Sequence, residues 1–216
     1  MMTRTLIACG VLLMAGATAT AEEPPESCRP KAGEALALAA EADQARMQCD
    51  IDRASQLVER SERLAPATTK PVMRIVDTAS PSGAAYIYDV IGTGPSYWLS
   101  AHTVPGEESE RSRVPICSLG TNLPEDISSR VTSALTTAAS ESIPDYGPRE
   151  DVSINPDGSR RHVLLLDTHD IITTIETTQG TRHFSRHAKA SDAIAGINQM
   201  IIGVANVSDG WVCNTN

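Results

Sequence analysis

Residues 84–102 read AAYIYDVIGTGPSYWLSAH. Ala84–Ile91 and Ser96–His102 are both rich in β-branched and aromatic side chains, and the four residues between them, Gly92-Thr93-Gly94-Pro95, are turn formers. The stretch therefore reads as a β-hairpin. With the turn centred on Thr93-Gly94, Tyr88 opposes Leu99 and Val90 opposes Tyr97. Alternation then puts Tyr86, Tyr88, Tyr97 and Leu99 on one face and Ile87, Ile91 and Trp98 on the other. Both faces are partly apolar, so one is expected to meet helices and the other is a candidate recognition patch. The whole chain has only four Tyr, two Trp and one Phe, and this hairpin holds Tyr86, Tyr88, Tyr97 and Trp98. These four are the candidate binding residues, because exposed aromatic clusters mark recognition sites. The competing reading buries both faces under helix and leader.

Working outward, Val72–Asp77 is a strand before the hairpin and Arg113–Leu119 a strand after it, followed by a helix over Pro124–Ser140. Acids Glu125 and Asp126 suit the first turn of that helix. A similar order recurs downstream. Strands are expected at Glu150–Ile154, Arg160–Asp167, Ile171–Thr178 and Thr181–Arg186, then a helix over Ala190–Val207 with Ser191 as N-cap. Upstream, residues 32–64 carry a narrow, alanine-rich apolar stripe of helical period, ended by Pro66. The order is α-β4-α-β4-α. Pro81-Ser82-Gly83 and Pro156-Asp157-Gly158 hold matching places in the two halves, which suggests an internal duplication. The expected fold class is α+β, a long N-terminal helix and two β4-α units, with helices covering one face of antiparallel sheet. The expected divisions are a signal peptide at 1–21, a leader at 22–31, the helical segment at 32–64, units at 70–142 and 149–208, and a tail at 209–216. A helix and a four-strand meander in tandem resemble the arrangement of secreted β-lactamase-inhibitor proteins. The likeness covers element order alone, and no residue role follows from it.

The N-terminus has a positive residue, Arg4, a short apolar run at Leu6–Ala17, and Ala19-Thr20-Ala21. That is the pattern of a secretory signal cleaved after Ala21. The run is shorter than the roughly 20 apolar residues a membrane span needs. Cys9 lies near the start of the run, too early for lipidation. Removing residues 1–21 takes away Arg4 and no acid, so the formal charge moves from −9 to −10. An acidic chain of this kind lacks the electrostatic footprint of a nucleic-acid binder and is repelled by anionic lipid. Arginine outnumbers lysine fifteen to three, a bias of GC-rich bacterial genomes, so the expected compartment is the periplasm or the exterior.

Four cysteines survive cleavage: Cys28, Cys49, Cys117 and Cys213. An even set in an oxidising compartment predicts two structural disulfides, and the C-x-x-C spacing of a redox pair is absent. If residues from Lys31 to Cys49 form one straight helix, Cys28 and Cys49 stand roughly 25 Å apart at 1.5 Å per residue. That geometry disfavours a 28–49 bridge, leaving pairings that tie the N-terminal helix to the sheet or to the tail.

No motif names a reaction. There is no G-x-S-x-G, no Walker loop, no G-x-G-x-x-G and no H-E-x-x-H, so neither a cofactor nor a metal is expected. Ser100-Ala101-His102 has no placeable partner. His183 and His187 have i, i+4 spacing, but on a strand this separates them by about 13 Å. Asp167-Thr168-His169-Asp170 reads as a turn. Two functions remain. One is a non-enzymatic protein that binds a partner in the cell envelope through the aromatic hairpin. The other is a hydrolase or metal-dependent enzyme built on His169, Asp170, His183 and His187.

Overall fold

The computed structural model describes residues 26–28, 39–64, 69–78, 85–105, 115–140, 143–147, 150–155, 157–164 and 169–214. The expected signal peptide, most of the leader, residues 32–38 of the expected helix and the turn at Pro81-Ser82-Gly83 lie outside these. A short 3-10 turn, Glu26–Cys28, precedes helix α1 (Ala39–Leu64). Strands β1 (Met73–Asp77), β2 (Ala85–Thr93), β3 (Ser96–Val104) and β4 (Ile116–Asn122) lead to helix α2 (Glu125–Ala138). Then come β5 (Glu150–Ile154), β6 (Arg160–Leu164), β7 (Asp170–Thr177), β8 (Gly180–His187), helix α3 (Ala193–Val207) and β9 (Val212–Asn214). The fold is α+β. No helix among the described residues is long and apolar enough to cross a membrane.

Seven strands form one antiparallel sheet in the order β8-β7-β1-β2-β3-β4-β9, while β5 and β6 pair with each other in a separate two-stranded sheet. The two four-strand runs are thus placed differently. The first stays in the main sheet, and only the last two strands of the second join it, beside β1. A strand's sequence marks it as a strand but not which partner it takes.

The 84–102 hairpin forms with its turn one residue later than the sequence suggests. Thr93 pairs with Ser96, Val90 with Leu99 and Tyr88 with Ala101. Gly92 belongs to the strand, opposite Tyr97, with φ of 116°, a value that glycine alone adopts readily. The pairing shift is two residues, so every side chain keeps its face. Tyr86, Tyr88, Tyr97 and Leu99 do share one side, with Trp98 on the other.

Helices cover both faces of the sheet, not one. On the tyrosine side, Val131, Ala134 and Ala138 of α2 and Ile194, Ile197, Ile201 and Ala205 of α3 pack on Met73, Ile75, Val90, Leu99 and Phe184. Each fully buried aliphatic side chain there contributes about 1.5–3 kcal/mol. On the opposite side, Ala54, Leu57 and Val58 of α1 meet Val76, Ala85, Ile87, Val104 and Ile172. An alanine-rich stripe fits either face, so the sequence does not say which one α1 takes. The N-cap of α3 is Asp192 and not Ser191. Its carboxylate accepts from the Ala195 amide at 2.9 Å.

The disulfides are Cys28–Cys49 and Cys117–Cys213. The first corrects the argument against that pairing, which rested on a straight helix from Lys31. Described helix begins at Ala39, and ten residues of chain between Cys28 and Ala39 can span the roughly 15 Å back along α1 to Cys49. The second joins direct partners on β4 and β9. Strand β9 lies in what the sequence presents as a tail.

Candidate functional site

Among the described residues, two places bear most on function. The first is the seam between the C-terminal half of α1 and the sheet. Arg74 on β1 and Asp89 on β2 are register partners. The guanidinium donates from Nε to Asp89 Oδ1 at 2.6 Å and from its terminal nitrogen to Oδ2 at 2.9 Å, while the other nitrogen reaches Glu62 of α1 at 3.3 Å. One pair of strands along, His102 of β3 projects from the same face, and its Nε2 meets the Ser61 hydroxyl of α1. Ser61, Glu62, Arg74, Asp89 and His102, with Val58 and Ile87, line a crevice with room for about one water molecule. Burial pulls the His102 pKa below its ordinary value. The charges of Asp89 and Glu62 push it up and that of Arg74 pushes it down.

A serine hydroxyl against an imidazole is the contact by which a base activates a nucleophile. Here Ser61 is 3% exposed and the crevice is too small to admit a substrate carbonyl. Both oxygens of Asp89 accept from Arg74. The arrangement is suited to holding α1 in place. No motif marks it, since its residues come from four elements. The usable signal is a pair of opposite charges, Arg74 and Asp89, each flanked by apolar side chains within its strand.

The second place is the sheet face beyond α1. Trp98 is 43% exposed there and lies against Gly120 of β4, where a Cβ would stand 2.6 Å from Cζ2 of the indole. Val212 of β9, 65% exposed, pairs with Ser118 on the same side, and Ile91, half-buried, pairs with Trp98. The tyrosines do not join this patch. Tyr88 and Tyr97 are buried beneath α2 and α3, and the Tyr97 hydroxyl lies 3.3 Å from that of Thr132 on α2. Burial pushes the Tyr88 phenol well above its ordinary pKa. Tyr86 is half-buried and stacks on Tyr88 with ring centres 6.4 Å apart.

Of the second-half histidines, His162 is on β6, His169 lies just before β7, and His183 and His187 are on β8. Asp170 and His187 are register partners, and His169 Nε2 lies 2.8 Å from Asp77. His183 stands four residues from His187 on the same strand and bonds the Thr174 hydroxyl at 3.1 Å. Among the described residues, no three His, Cys, Asp or Glu side chains form a group that could hold a metal ion. Comparison with protein-family models, curated proteins and solved structures finds no match to this chain.

Proposed function

We propose that this chain is an exported bacterial protein of the periplasm that binds a protein partner and does not catalyse a reaction. Trp98 is the centre of its contact surface. The observation that carries the reading is the exposure of Trp98 on a sheet face that α1 leaves open, in a chain with so few aromatics. Large aromatic side chains held on a rigid strand make strong anchors at low entropic cost. The net charge of −9 favours a partner whose contact surface has a basic rim. Two disulfides fit an oxidising compartment, and the signal-like N-terminus fits export.

The test is affinity capture from the native periplasm with the wild-type chain, Trp98→Ala and Val207→Ala. Val207 is 81% exposed on α3, and so serves as a second apolar surface site. A partner retained by wild type and Val207→Ala, released by salt and lost with Trp98→Ala supports the reading. Equal recovery by all three removes it. Tyr88→Ala is a poor probe, because that side chain is core.

A further inference from the structure

Helix α1 is attached to the sheet differently from α2 and α3. Neither disulfide joins it to the sheet: Cys28–Cys49 is internal to the N-terminal segment and Cys117–Cys213 ties β4 to β9. Among the described residues its apolar contact is small, with Ala54 buried and Leu57 and Val58 partly so. Polar contacts gather near its C-terminal end, where Ser61 meets His102, Glu62 meets Arg74, and Arg60 donates to the Pro105 carbonyl at 3.0 Å.

We propose that His102 is a pH-sensitive latch, which holds α1 on the sheet while its imidazole is neutral and releases the helix as the imidazole gains a proton. The groups facing it are Ser61 and Glu62 from α1, Arg74 from β1 and Asp89 from β2, and its register partner on β4 is Ser118. A proton on His102 puts a second cation beside Arg74, whose two bonds already occupy Asp89. Room for one water leaves little to solvate that charge while α1 is seated. Lifting α1 hydrates the imidazolium and uncovers the apolar strip Val76, Ala85, Ile87, Val104 and Ile172.

The sign follows from burial. The seated-state pKa of His102 lies below the ordinary 6.5, so the latch is at full strength above that value. It weakens as pH falls through 6.5 toward the seated-state value. Each unit between the two states shifts the opening equilibrium by about tenfold.

Hydrogen exchange on the disulfide-bonded chain tests this, with rates at pH 7.5 and 5.0 corrected for intrinsic chemistry. Protection of α1 amides over residues 51–64 is expected to fall several-fold at pH 5.0, while Ile75 and Val90 in the central strands keep theirs. In His102→Gln, neutral throughout, the fall confined to α1 is expected to vanish. An equal fall in His102→Gln overturns the proposal, as does loss of α1 protection in step with the central strands. Should that variant fail to fold, the imidazole proton shift of His102 in the native chain decides the matter. A midpoint shared with the loss of α1 protection supports the latch, and one displaced by a full pH unit overturns it.

Discussion

Trp98 on β3 lies diagonally across Gly120 on β4, so close that a side chain at residue 120 has to displace the indole. The glycine gives the ring a seat, and the ring covers backbone that the glycine leaves bare. Gly120→Ala is expected to push Trp98 outward, because a half-exposed indole yields more easily than two paired strands. A stability loss of about 1 kcal/mol and a red shift in tryptophan emission are expected. Urea titration and fluorescence check both, with Trp211→Phe as background to remove the second indole.

Arg186 is 1% exposed on β8. It donates to the carbonyls of Pro144 and Asp145 at 2.5 and 2.8 Å and to Asp192 at 2.5 Å, with its guanidinium carbon 5.6 Å from the Phe184 ring centre. Arg186→Ala leaves those acceptors without their donor and is expected to cost about 3 kcal/mol in urea unfolding. Arg186→Lys recovers little, since one ammonium cannot span the fork.

The buried Thr173 hydroxyl donates to Asn198 Oδ1 at 2.9 Å between β7 and α3. Thr173→Val strands that oxygen and is expected to cost about 2 kcal/mol. Adding Asn198→Leu removes the stranded group, so the double variant should lose less than the two singles together. A double-mutant cycle measures the difference.

The disulfides close chain segments of different length, with sequence separations of 21 and 96. In the chain-entropy model the shorter loop is worth about 3 kcal/mol and the longer one about 4–5 kcal/mol. Paired serine variants, compared by thermal unfolding, are expected to lose more stability at Cys117 and Cys213 than at Cys28 and Cys49.

His183 also lies below the ordinary histidine pKa, through burial, with Asp145 and Glu176 pushing the other way. Its contribution to stability is complete above pH 6.5 and is lost as pH falls from there toward the folded-state value. Glu176→Gln removes an upward push, so the His183 midpoint is expected to fall further in an NMR titration.

The faces of the aromatic hairpin were legible because strand alternation survives a two-residue shift in pairing, and α3 was legible because its isoleucines recur at helical spacing. Other features depend on which elements meet, and local pattern does not carry that. Ser61 and His102 are 41 positions apart and belong to no motif. Strands β5 and β6 have ordinary strand sequences yet stand outside the main sheet. The Cys28–Cys49 bond depends on where the helix before Cys49 starts, which an alanine-rich stripe does not mark; the described helix starts at Ala39.

An open seven-stranded sheet has two rims, and each is occupied by a short stub of chain. At one rim, the 143–147 segment lies along β8, with Tyr146 bridging Ser185, Ser185 N–H donating to Asp145 O at 2.8 Å and Gly147 N–H to Ser185 O at 3.0 Å. At the other, three-residue β9 is bonded covalently to β4. Unpaired strand rims recruit other chains into intermolecular sheets. Arg186, which fastens one stub, and Cys213, which fastens the other, therefore guard colloidal behaviour as well as stability. Losing either fastening should turn a concentrated solution of this protein toward fibrous precipitate before the native core itself gives way.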